Sequence, residues 1–173
     1  MPIPSGRVAF VTFQHSSSAP GSAAIDTLDG MPPGELSIEL APVLGMDEVM
    51  ALYRSVGWTA YTDDAALLES ALAGSSLVVA GRRDGCLVGL ARVISDGATI
   101  CYLQDVLVHP DSQRTGVGRA LVLAALKPYA AVRQKVLLTD DEPAQRAFYQ
   151  SLGYRETRDH DDAALRAFVR FDG

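Results

Sequence analysis

The stretch 105–123, DVLVHPDSQRTGVGRALVL, holds the most chemically pointed pattern in the chain. β-type residues run up to Pro110, a polar loop follows, and Gly116 and Gly118 stand where helix formers begin. Glycines at such a junction let a ligand approach the backbone closely, and the first turn of the helix offers N–H groups with no intrahelical acceptor. A nest of that kind, with the helix dipole behind it, suits an anionic phosphate and needs no side-chain charge. It is not the dinucleotide-binding G-x-G-x-x-G, because Leu121 stands at the third glycine position and the loop is too long. Nor does a Gly-Lys-Ser/Thr follow, as a Walker loop requires. From residue types alone the two glycines read either as a phosphate site or as a plain helix start.

Other reactive residues say less. Cys86 and Cys101 sit in apolar stretches and read as buried small hydrophobes in a reducing compartment. His15, His109 and His160 have no partner at metal-ligand spacing, so no metal site is expected. Tyr149 reads as a core aromatic beside Phe148, Leu152 and Tyr154.

The net charge of −6 argues against a nucleic-acid surface, where a basic stripe is expected, and is compatible with cationic small molecules. No window approaches the ~18 apolar residues of a membrane span. Little positive charge precedes the short apolar run Val8–Phe13, so no signal peptide is expected and the cytoplasm is the default location.

The elements that must position this loop can be read on either side of it. Residues 1–34, rich in Ser, Pro, Gly and Ala, form an extension outside the core, with Val8–Phe13 as a candidate extra strand. ELSIEL (35–40) alternates as a first strand, and residues 45–58 place Val49, Leu52, Tyr53 and Val56 at helical spacing. A second helix over 65–75 follows, with Thr62 or Asp63 as its N-cap and Gly74 as its stop. Asp84-Gly85 turns a hairpin within 76–97, and 98–110 is the next strand. Then come a helix over 118–132, a strand QKVLLTDD, a helix EPAQRAFYQSL stopped by Gly153, and a last strand over 164–171. This order predicts one mixed α/β (α+β) domain over 35–173, with a mostly antiparallel central sheet of about six to seven strands flanked by about four helices. A parallel pair is expected where helix 118–132 crosses between strands.

With the loop set in this frame, VLVHPDSQRTGVGRAL resembles the acyl-CoA-binding signature Q/R-x-x-G-x-G/A of the GNAT superfamily of N-acetyltransferases. The match runs through Gln113, Arg114, Thr115, Gly116, Val117 and Gly118, and AQRAFYQSLGYRE is similar to the family's A-x-x-F/L-Y-x-x-x-G-F/Y segment. The resemblance implies that amides of Arg114, Gly116, Gly118 and Arg119 hold the CoA pyrophosphate, with the Arg114 and Arg119 side chains adding positive charge. It implies a fourth strand splayed from the fifth, whose Val106, Leu107 and Val108 bind the pantetheine arm and whose Leu107–Val108 backbone offers the oxyanion donor. It makes Tyr149 the proton donor to the departing thiolate. Many relatives have asparagine where this chain has Glu142, which is expected instead to cap the helix opened by Pro143.

The reaction so implied is direct attack of an amine on the thioester of acetyl-CoA in a ternary complex, and the amine must first lose a proton. Asp105, on the fourth strand, is the candidate base or ammonium anchor, with a purely structural carboxylate as the alternative. Tyr102 stands where some relatives carry a glutamate base, and His109 reads as a solvated loop residue. Trp58 and Tyr61 are candidate walls for an arylalkylamine-like acceptor, or else cover the core. A small-molecule amine is the leading acceptor. A protein lysine or N-terminal acetyltransferase, and a non-catalytic acyl-CoA-binding module, are the alternatives. A homodimer using the N-terminal extension is compatible with all three.

Overall fold

A computed structural model describes residues 34–160 and 165–170, and the candidate strand Val8–Phe13 lies outside them. The chain forms two compact units, the first running to Leu138 and the second starting at Thr139.

The first unit contains β1 (Leu36–Leu40), α1 (Met46–Ser55), α2 (Thr59–Thr62), α3 (Ala65–Ala73), β2 (Leu77–Arg83), β3 (Cys86–Ser95), β4 (Ile100–Val108), α4 (Val117–Leu126) and β5 (Gln134–Val136). The strands make one sheet in the order β1-β2-β3-β4-β5. All neighbours are antiparallel except β4 and β5, which α4 connects as a parallel pair. The hairpin turn takes positive φ at both Asp84 (49°) and Gly85 (78°), the pair of left-handed residues that matches strand twist.

Each face of the sheet is closed by a helix whose apolar stripe follows from its spacing. Val49, Leu52, Tyr53 and Val56 of the α1 segment pack with Trp58, Leu68, Leu90 and Leu107. On the opposite face α4 buries Val117, Leu121, Val122 and Ala125. Close approach there depends on Gly89, where a Cβ would lie 2.8 Å from Leu121 Cδ1 and 3.0 Å from Val117 Cγ1. Glu48 accepts the Gly45 amide at the mouth of α1 and pairs with Arg82 at 2.7 Å, which pins α1 to β2.

The second unit contains α5 (Pro143–Ser151), which Gly153 ends at φ 90°. Arg146 of α5 pairs with Glu156 at 3.1 Å and Asp159 at 2.6 Å.

Several expectations are corrected. Five strands form among the described residues, not six to seven, and a one-turn α2 raises the α-helices to five. The last strand expected over 164–171 does not form among its described residues, 165–170, which are exposed and have no ladder partner. Pro128 stops α4 well before residue 132, and β5 ends at Val136. Asp64, not Thr62 or Asp63, caps α3 by accepting the Leu67 amide. Cys101 is buried as expected, whereas Cys86 begins β3 beside the turn and is exposed. No helix among the described residues is long and apolar enough to cross a membrane.

Candidate active site

The loop from Pro110 to Gly116 begins with a 3₁₀ turn (Pro110–Ser112) and ends with two left-handed residues, Arg114 at φ 60° and Gly116 at φ 89°. Gly116 is the N-cap of α4, and a Cβ built on it meets nothing within 4 Å. The loop is held from beneath: the Thr115 hydroxyl donates to the Ser112 carbonyl at 2.6 Å and receives a bond from Arg83 at 3.0 Å. The amides of Gly116, Val117 and Gly118 find no backbone acceptor among the described residues. Held by these bonds and open at Gly116, the turn presents a row of donors at the positive end of a ten-residue helix.

β4 supplies the second half of the arrangement. Its parallel pairing with β5 covers only Ile100, Cys101 and Tyr102, so from Leu103 onward that edge of β4 has no strand beside it among the described residues. β5 itself ends at Val136. Backbone alternation tells which groups face it: the His109 amide bonds Val88 on β3, so Leu107 also points to β3, while Val106 and Val108 point to the unpaired edge. Of the expected pair Leu107–Val108, the Val108 amide is therefore the one available as a donor. The Gln113 side chain ties loop to strand by donating to the Val108 carbonyl at 3.1 Å.

On the α1 face, β4 carries a buried polar network. Asp105 is 1% exposed, and its Oδ2 accepts from Arg92 Nε at 2.7 Å and from the Tyr53 hydroxyl at 2.9 Å. Arg92 also donates to the Ala71 carbonyl at 3.2 Å, placing a cation at the C-terminal end of α3. Burial first, and then the neighbouring carboxylate, push the Tyr53 hydroxyl far above the ordinary tyrosine range. Asp105 Oδ1 is buried with no partner. The side chain is sealed from solvent and paired with Arg92, so its contacts fit the structural carboxylate rather than the base or ammonium anchor also expected.

Tyr53, Trp58 and Tyr61 form a ring cluster with centroid distances of 5.7–5.9 Å. Trp58 lies inside the core at 5% exposure, so of the two candidate walls only the half-buried Tyr61 keeps surface for a ligand. His109 is partly exposed, with its ring nitrogen accepting the Asp111 amide at 3.4 Å.

Tyr149 belongs to the second unit, on α5, and is buried between Phe148 and Tyr154, with ring centroids at 5.0 and 5.9 Å. Burial, then Tyr154, raises its hydroxyl well above the ordinary range, so it stays protonated through neutral pH. Glu142 does stand at the N-cap of α5 but makes no side-chain cap bond.

Arg92 escaped the sequence reading, and Tyr53 was read only as part of the apolar face of α1. The available signal was a lone arginine inside the apolar run of β3, which has to find a partner if that strand is buried.

Comparisons with known proteins bear on the family and the fold. A family model described as an acetyltransferase (GNAT) domain matches residues 47–170. The mycothiol acetyltransferase of Kineococcus radiotolerans is 30% identical over 148 residues, covering 82% of this chain and 46% of that protein. The N-acetyltransferase ycf52 of Porphyra purpurea is 29% identical over 115 residues, covering 64% and 65%. The chain thus spans between about half and two thirds of the length of these curated relatives. Among solved structures, the GNAT-family acetyltransferase SP0256 of Streptococcus pneumoniae superposes with a TM-score of 0.70 at 27% identity, covering 80% of this chain and 98% of that one.

Proposed function

Because the chain belongs to the GNAT acetyltransferase family, we propose that it transfers the acetyl group of acetyl-CoA to a primary amine on a small molecule, by direct attack in a ternary complex. The observation that carries this reading is the row of unpaired amides at Gly116, Val117 and Gly118, tied through Gln113 to the unpaired edge of β4. Acetyl-CoA supplies an activated thioester carbonyl. The amide nest holds its diphosphate, with Arg114, Thr115 and Arg119 around it, and the positive φ and empty surround of Gly116 fit such a guest.

Along β4, the outward groups of Val106 and Val108 hydrogen-bond the pantetheine arm, and Leu107 anchors the strand in the core. The Val108 amide is the proposed donor to the carbonyl oxygen, fixed in advance by the β3 ladder on its other side. Tyr149 is the proposed acid that protonates the leaving thiolate, a role its retained proton suits. Asp105 serves as the anchor of Tyr53 and Arg92 beneath Tyr61, and the proton of the amine passes to solvent. A cytoplasmic location is proposed with it, as one compartment that supplies acetyl-CoA.

Incubating the full chain with acetyl-CoA and panels of amines and peptides, with thiol release followed, tests the reading. Turnover of small amines supports it. Preferred turnover of peptides replaces it with a protein acetyltransferase, and tight CoA binding without any turnover replaces it with an acyl-CoA-binding module.

A further inference from the structure

Arg82 and Arg83 end β2 side by side and face opposite ways, as neighbours in a strand do. Arg82 turns to the α1 face and is neutralised twice, by Glu48 at 2.7 Å and Glu39 at 3.4 Å. Arg83 turns to the α4 face, makes no ion pair among the described residues, and donates from Nη2 to the Thr115 hydroxyl at 3.0 Å. Gly81 lies two residues earlier on that same face, under Leu121 and Val117, where a Cβ would stand 3.5 and 3.6 Å from their side chains. The start of α4 therefore sits directly over this end of β2, which brings Thr115 within reach of Arg83.

The hydroxyl that accepts from Arg83 also donates to the Ser112 carbonyl at 2.6 Å, closing a ring around Gln113 and Arg114. Arg114 holds a left-handed φ of 60°, which costs a residue with a side chain about 1–2 kcal/mol, so the turn needs bonds that hold it. A donor feeding a hydroxyl that itself donates strengthens both bonds. Arg83 is half-buried, and its Nε is sealed from solvent with no acceptor. A guanidinium stays protonated, and a neutral hydroxyl cannot cancel its charge. That charge lies against the loop whose Gly116, Val117 and Gly118 amides have no backbone acceptor.

We propose that Arg83 is a positioning residue for the cofactor: acting through Thr115 it fixes the Arg114 turn, and its unneutralised charge draws the diphosphate of CoA to the amides beyond. The inference rests on the acetyltransferase reading above and adds to it a residue outside the glycine loop. Its test is titration calorimetry of the full chain with CoA and with dephospho-CoA, which lacks the ribose phosphate but keeps the diphosphate. Each titration is run at low and at high salt.

Arg83→Met should raise the Kd of both probes about tenfold, the loss of one charge-assisted bond. Arg83→Lys should recover part of this, since it keeps the charge without the planar fork. Salt should weaken CoA binding to the wild-type chain more steeply than to Arg83→Met, a difference that a merely structural prop would not produce. Thr115→Val added to Arg83→Met should cost little more, because the two side chains act as one unit. Unchanged CoA affinity in Arg83→Met, parallel salt slopes or fully additive losses would overturn the proposal. So would a loss seen with CoA but not with dephospho-CoA, which would move Arg83 to the ribose phosphate. A wild-type chain that binds neither probe would instead remove the acetyl-CoA reading itself.

Discussion

Arg92 and Asp105 face each other across neighbouring strands and meet at 2.7 Å, with side chains only 7% and 0% exposed. A buried pair of this kind contributes little beyond what apolar side chains of the same volume would, but losing one member strands a charge. Either Asp105→Asn or Arg92→Met should therefore destabilise the fold by about 3–5 kcal/mol, and the double replacement Arg92→Met with Asp105→Leu by much less. Urea unfolding of the three variants checks this. Additive losses in the double variant would show that the two residues do not act as a pair.

This pair also marks how far the sequence could be read. The spacing of Val49, Leu52, Tyr53 and Val56 places α1, the Asp84-Gly85 turn places the β2–β3 hairpin, and the two glycines place the mouth of α4, because each is a local signal. The joining of Tyr53, Asp105 and Arg92 is not local: residues 53 and 105 meet only after the sheet has formed. The last strand expected over 164–171 failed over 165–170 for the same reason in reverse, since residue types that suit a strand do not supply a neighbour to pair with.

Stability should fall with alkali in a way that Tyr53 helps to set. Burial, then Asp105, raises the folded-state pKa of this hydroxyl above the ordinary value of about 10. Once the pH passes that value the unfolded chain releases the proton while the folded chain keeps it, so unfolding becomes easier as pH rises. Below it the contribution is fully present. Tyr53→Phe should cost about 2 kcal/mol at neutral pH by removing a bond to a charged group, yet show a shallower decline above pH ~10. Parallel slopes for the two proteins would assign the alkaline loss to other tyrosines.

Tyr149→Phe separates chemistry from binding. The variant should lower kcat by about 100-fold or more while leaving CoA affinity unchanged, since the change removes the acid and little of the packing surface. Because burial keeps the hydroxyl protonated, the wild-type rate should not decline with pH on its account within the ordinary tyrosine range. Equal losses of rate and CoA affinity would make Tyr149 a structural residue.

Gly116 gives the sharpest test of the nest, because its surroundings predict what each replacement does. At φ 89° any side chain carries left-handed strain of about 1–2 kcal/mol, but no protein atom lies within 4 Å of the added Cβ, so the fold should survive. Alanine, glutamine and glutamate should then cost similar stability in thermal melts. Their effect on CoA should differ in order: alanine least, glutamine more by filling the space, and glutamate most, because a carboxylate adds repulsion where a diphosphate must sit. Titration calorimetry with CoA measures that order, and the gap between glutamine and glutamate isolates the charge. If Gly116→Glu bound CoA as well as the wild-type chain does, the diphosphate would have to lie elsewhere, and the alignment of the thioester along β4 would lose its basis.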